Sequence, residues 1–188
     1  MRFELGHVPM PDGYGEAILS LDDCKAHLRV TNGSEDALIS ALRDAAIEFV
    51  ERWCGVKLGP VTGLTWSAES FPADQLDLAV RPVTDVTGIT YLDGDGAEVT
   101  EDVADYRFTA SGLLRPGIGK SWPTGVGGAV EVTFDAGFAS PPSALVQAVR
   151  MMLAHLFMNR EAVVSTGMAG EAPLGVTSLC SSFRQVSI

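Results

Sequence analysis

The run Gly117-Ile118-Gly119-Lys120-Ser121 carries the residue types that hold phosphate at the start of a helix. The full phosphate-binding pattern needs a further glycine at position 114, which is Leu. It also needs a helix to start at the lysine, whose free N–H groups would face the anion. Trp122-Pro123 follows instead, and a residue before proline is pushed away from helix. A turn between strands is the better reading, and a nucleotide-binding enzyme built on Gly119-Lys120-Ser121 stands as an alternative. Asp93, Asp95 and Glu98 imitate part of a calcium loop. Counted from Asp93, the required glycine and glutamate positions hold Glu98 and Ala104, so a plain hairpin is expected. His7, His27 and His155 have no metal-binding spacing, and there is no G-x-S-x-G elbow for a serine nucleophile. Cys24, Cys54 and Cys180 never form a C-x-x-C pair, which argues against both a disulfide framework and a zinc site. The expectation is a protein with no catalytic residues, no metal and no cofactor.

The elements that carry these residues are legible from periodicity. Residues 1–19, with Pro9, Pro11, Gly13 and Gly15, read as an N-terminal arm. Ser20 starts a short helix, with Asp22 and Asp23 suited to its positive end. A second helix is capped by Ser34 or Asp36. Leu38, Leu42, Ala45, Phe49 and Trp53 recur at helical steps, and Ile39, Ala46 and Val50 widen the stripe beyond what one partner would cover. Gly55 sits at its left-handed end.

From Leu64 the period changes to two. Residues 64–68, 76–78, 89–92, 106–109 and 129–134 read as strands, with hairpin turns at 93–96 and 111–112. Pro141-Pro142 then starts a third helix, Ser143 to Asn159, apolar nearly all round. Such a helix in so small a protein implies that a partner covers part of it. The fold class expected is α+β: three main helices and a short C-terminal helix, with an inserted antiparallel β unit. The organisation reads as arm 1–19, helical part 20–60, β unit 61–140, third helix 141–163, and flexible arm with a short helix 164–188.

The net charge of −11 is uneven. Residues 61–140 carry twelve acids against four bases, whereas residues 141–188 carry two acids and three bases. An acidic body has no basic stripe with which to displace the counterions of a nucleic acid. No apolar run approaches the length of a membrane span and the start holds no secretory h-region, so a chain made in the cytoplasm with no membrane partner is expected.

Several stretches, in order, carry a family resemblance. Leu21-Asp22-Asp23-Cys24-Lys25-Ala26-His27-Leu28-Arg29-Val30 resembles an opening L-x-x-x-K-x-H-L-R-V helix. Glu35 to Ile39 and Val50 to Gly55 are similar to the start and end of the next helix. Arg81-Pro82-Val83 with Val86 and Ile89-Thr90-Tyr91 resembles R-P-V-x-x-V-x-x-I-x-Y. Gly119 to Pro123 resembles G-x-x-W-P. Residues 155–162 resemble H-x-x-x-N-R-E-A, and Leu174 to Arg184 resembles the family's tail, with Cys180 in place of Leu or Ile. Together, over residues 17–184, they are similar to the head-tail connector (adaptor) family of long-tailed phages and phage-like gene-transfer particles.

The resemblance implies a structural subunit of the virion neck, assembled in the bacterial host cytoplasm. It implies a homo-oligomeric, twelve-fold ring beneath the portal protein, with a stopper or tail-completion protein on the other side. Double-stranded DNA would pass through the lumen without sequence-specific binding. Another neck or tail-completion component is the alternative. The third helix and the arm after it are the expected subunit and portal interface: Leu145, Val149, Met152, His155, Leu156, Asn159, Arg160, Glu161, Leu174, Val176, Leu179, Phe183 and Arg184.

Overall fold

A computed structural model describes residues 2–6, 8–159 and 173–184. The chain is α+β and forms two compact units, Met1–Pro11 with Pro60–Gly137 and Asp12–Gly59 with Phe138–Ile188.

Among the described residues, the first unit holds eight strands: β1 (Phe3–Leu5), β2 (Val61–Ala68), β3 (Leu76–Asp77), β4 (Val83–Asp93), β5 (Glu98–Thr100), β6 (Tyr106–Phe108), β7 (Leu113–Pro116) and β8 (Val126–Ala136). They pair antiparallel in two sheets, ordered β1-β2-β8-β4-β5 and β3-β7-β6. Alternation fixes which side is core. In β8, Val130, Val132, Phe134 and Ala136 are buried while Ala129 and Glu131 face out, as the two-residue period of a strand requires. Leu64, Trp66, Val86 and Ile89 are buried from the flanking strands.

Both expected hairpin turns form. Asp93 Oδ1 accepts from the N–H groups of Asp95 and Ala97, and Gly112 takes the left-handed conformation at φ 82° that glycine tolerates. Residues 3–5 are a strand, not part of an arm: Phe3 stacks on Trp66 at 5.8 Å, and its register with Ala68 extends the sheet by one edge.

The second unit holds α1 (Tyr14–Ile18), α2 (Leu21–Leu28), α3 (Asp36–Cys54), α4 (Ser143–Met158) and α5 (Leu174–Cys180). Ser20 caps α2 by accepting from Asp23 N at 3.1 Å, and Gly55 ends α3 at φ 67°. The start of α3 differs from expectation. Its N-cap is Glu35, because Ser34 bonds back to Asn32 at 2.6 Å and Asp36 pairs with Lys25 at 2.8 Å.

Helix α1 also lies inside the expected arm. It forms because α3 presents two charged groups on its buried side. Arg43, 7% exposed, binds Glu16, Asp44 and the carbonyl of Leu19. Glu51, 4% exposed, accepts from Tyr14 Oη, from Leu58 N at 2.8 Å and from Lys57 Nζ at 2.7 Å. A side chain at position 15 would meet Asp44 Oδ1 at 2.0 Å, so the close approach of α1 to α3 requires Gly15. Burying such charges is tolerable only when their partners are complete, as they are here.

Candidate assembly surface

The loop between β7 and β8 settles what Lys120 does. Its Nζ lies 2.8 Å from Asp105 Oδ2, which raises its pKa, and no helix follows it. Trp122 pins the loop from behind: its ring stacks on Phe71 at 4.9 Å, leans on Tyr106 at 5.5 Å, and its Nε1 donates to Asp74 O. The G-x-x-W-P run is therefore a turn anchored by an indole. Asp93 spends a carboxylate oxygen on its own hairpin, and no group of three metal-ligating side chains occurs among the described residues.

The thiols are all buried. Burial pushes Cys24 up to about 11. Cys54 is also held well above the usual thiol range, by its hydrogen bond with Cys180 and by burial. Neither has the depressed pKa of a nucleophile. His155 belongs to a helix end, where Asn159 Nδ2 donates to the His155 carbonyl at 2.9 Å and the Asn159 N–H donates to it at 3.0 Å. The H-x-x-x-N pattern thus closes α4, satisfying a carbonyl that the end of a helix leaves open.

Apolar side chains remain at the surface of the second unit. The buried side of α3 is Ile39, Arg43, Ala46, Ile47, Val50, Glu51 and Cys54. Leu38 is exposed, and Leu42, Phe49 and Trp53 are half-buried. The stripe most visible in the sequence is therefore the outer one. Phe49 and Trp53 stack at 6.0 Å, and the Arg184 guanidinium sits 4.9 Å from the Trp53 ring. That contact fits the electrostatic attraction of a cation to an aromatic face.

Of the residues expected to form the interface, Leu145, Val149, Met152 and Val176 are buried within the unit. His155, Leu156, Asn159, Leu179 and Phe183 are half-buried. Leu174 is 86% exposed and Arg184 is exposed. Arg160 and Glu161 lie outside the described residues. Met158, an apolar residue of the third helix outside the expected interface set, is 82% exposed at the end of α4. Gly175 brings α5 against Met151, so α4 gains part of its cover from its own chain.

The polar anchors Tyr14, Arg43 and Glu51 were also missed. The available signal was the position of Arg43 and Glu51 on the same helical face as Ile39, Ile47 and Val50.

The sequence model of the head completion protein family matches residues 17–177. This chain belongs to the head completion protein family. Solved structures agree. A chain in the neck of an empty gene transfer agent particle, computed with C6 symmetry, is 27% identical, with a TM-score of 0.78 over 98% of this chain and 97% of that one. A chain in the virion of a native gene transfer agent particle is also 27% identical, at TM-score 0.75 over 98% and 96%. A third, in the neck of the native particle computed with C12 symmetry, is 26% identical at TM-score 0.73 over 98% and 97%. No curated protein matches the chain. This head completion protein is a structural component of the neck, at the head–tail junction of a virion. None of the described helices is long and apolar enough to cross a membrane.

Proposed function

We propose that the chain is a head–tail connector subunit that closes into a ring under the portal, joins head to tail and lets DNA pass through the ring's centre. The observation that carries this reading is the near full-length likeness to neck chains of particles computed with six-fold and twelve-fold symmetry. The surface of the second unit supports it. The outer stripe of α3, with Met158 and Leu174, presents apolar area of the kind that marks protein contacts. A head-to-tail interface repeated around an axis closes such surfaces into a ring. The surface-accessible members of the expected interface, His155, Leu156, Asn159, Leu174, Leu179, Phe183 and Arg184, are its proposed contacts with neighbouring copies and the portal. A stopper or tail-completion protein would dock on the opposite side.

The acidic balance of residues 61–140 suits a wall beside DNA, because it offers the phosphates no counterion-releasing stripe. The role is assembly: Lys120 is paired with Asp105, His155 belongs to the end of α4, and the three thiols are buried. Native mass measurement of the chain alone and mixed with portal tests the reading. A complex carrying a whole ring of copies supports it, and a portal that gains no mass under any condition removes it.

A further inference from the structure

The three-stranded sheet of the first unit has two unlike faces, and β6 at its edge shows them most clearly. Register pairs Tyr106 with Pro116, Arg107 with Arg115 and Phe108 with Leu114, so strand alternation sorts these residues onto opposite sides. On one side, Tyr106, Phe108 and Leu114 line a groove of about 440 Å³ closed by Val86 and by Val103 and Ala104 of the turn before β6. It is a largely apolar groove, and Asp85 is the charged residue that lines it. On the other side, the hollow beside the loop whose tip is Ile118, 91% exposed, is lined by Arg107 and Arg115, with Asp74 and with Lys120, which is paired with Asp105. Of the four bases in residues 61–140, Lys120 is paired with Asp105 and Arg81 with Asp77 and the Ser111 carbonyl, which leaves Arg107 and Arg115 on this face.

An apolar tip with a basic collar of Arg107 and Arg115 thus stands on one face, and an apolar hole lined by Asp85 on the other. Trp122 holds the tip in place through Phe71 and Tyr106, so the loop is supported and its isoleucine costs little to order. A surface that carries both a knob and its complement on opposite faces makes a heterologous contact, the kind that runs head to tail and closes into rings. Identical chains of charge −11 repel one another, and opposed local charges are needed to bring them into register.

We infer that Ile118 of one copy inserts into the Val86–Phe108–Leu114 groove of the next copy, with Arg107 and Arg115 facing its Asp85. The occupant is a second copy of this chain, and the inference rests on the ring reading above. DNA is the other acidic body that a basic collar could meet, but an unpaired isoleucine at the tip offers nothing to a phosphate backbone.

The test is a paired-cysteine cross-link in the full chain assembled on portal. Ile118→Cys with Ala104→Cys, oxidised with copper-phenanthroline, gives a ladder of covalent multimers on a non-reducing gel, whereas either substitution alone gives none. Cys24, Cys54 and Cys180 are buried and do not compete. Rings seen by electron microscopy in the same sample without a ladder would overturn the contact while leaving the ring intact. Absence of rings with the unsubstituted chain would overturn the ring reading itself, and this inference with it. A charge swap provides the second arm. Arg115→Glu lowers self-association about tenfold or more, and Asp85→Arg in the same chain restores it. If Arg115→Glu instead leaves assembly unchanged and lowers DNA retention on a filter, the basic collar serves DNA and the inference fails.

Discussion

Tyr14 donates its phenolic hydrogen bond to Glu51 while accepting one from the Gly59 N–H at 2.9 Å, so one buried hydroxyl ties α1 to the end of α3 and to the chain leaving it. Burial, together with the Glu51 carboxylate, holds the phenol well above its ordinary pKa, so it stays a donor. Tyr14→Phe leaves a buried N–H without an acceptor and a carboxylate oxygen short of one donor. The expected loss is about 1–3 kcal/mol of stability, read as a lower urea midpoint at unchanged m-value.

High pH tests the same burial. Cys24, Tyr14 and Tyr106 are all neutral groups whose pKa is raised, chiefly by burial, Cys24 to about 11. In the unfolded chain they lose protons earlier than in the folded one. Stability is therefore fully present below the ordinary thiol and phenol range and falls as pH climbs through about 11. Denaturant midpoints measured across that window should decline steadily, and a flat profile would contradict the burial of these groups.

Much of this fold could be read in advance, and the misses have physical causes. Helix α2, helix α4 and both hairpin turns announce themselves through local signals, namely Ser20, the Pro141-Pro142 start and the glycines at 96 and 112. Strand β1 and helix α1 do not, because what holds them is distant in sequence: Trp66 under Phe3, and Arg43 and Glu51 under Glu16 and Tyr14. The stripe of α3 was legible but its buried side was not, because periodicity reports that a face is apolar and not which face is covered. The family was legible from ordered short motifs, and the structure gives several of them a job: Arg81 clamps the β6–β7 turn, Trp122 anchors a loop, and Asn159 caps a helix. The exposed Ile118 carried no sequence signal at all, since a lone isoleucine between two glycines looks like any turn residue.

Trp122→Ala should release the loop from Phe71 and Tyr106. The expected cost is about 1–3 kcal/mol for a half-buried aromatic platform. The more specific readout is limited proteolysis, where trypsin cleavage after Lys120 accelerates relative to cleavage elsewhere in the chain. Equal rates in both proteins would mean that the indole does not hold the loop.

Lys120 is paired with Asp105 and stands at the head of no helix. Titration of the chain with magnesium-ATP should therefore give no binding heat at millimolar nucleotide, and Lys120→Ala should behave identically. Saturable binding lost on that substitution would revive the enzymatic reading.

The ring itself is tested most directly by electron microscopy of purified portal incubated with the chain. The account predicts a closed ring of this protein stacked coaxially on the portal, with an open central channel. Portal particles that stay bare, or that carry the chain scattered without rotational order, would contradict it.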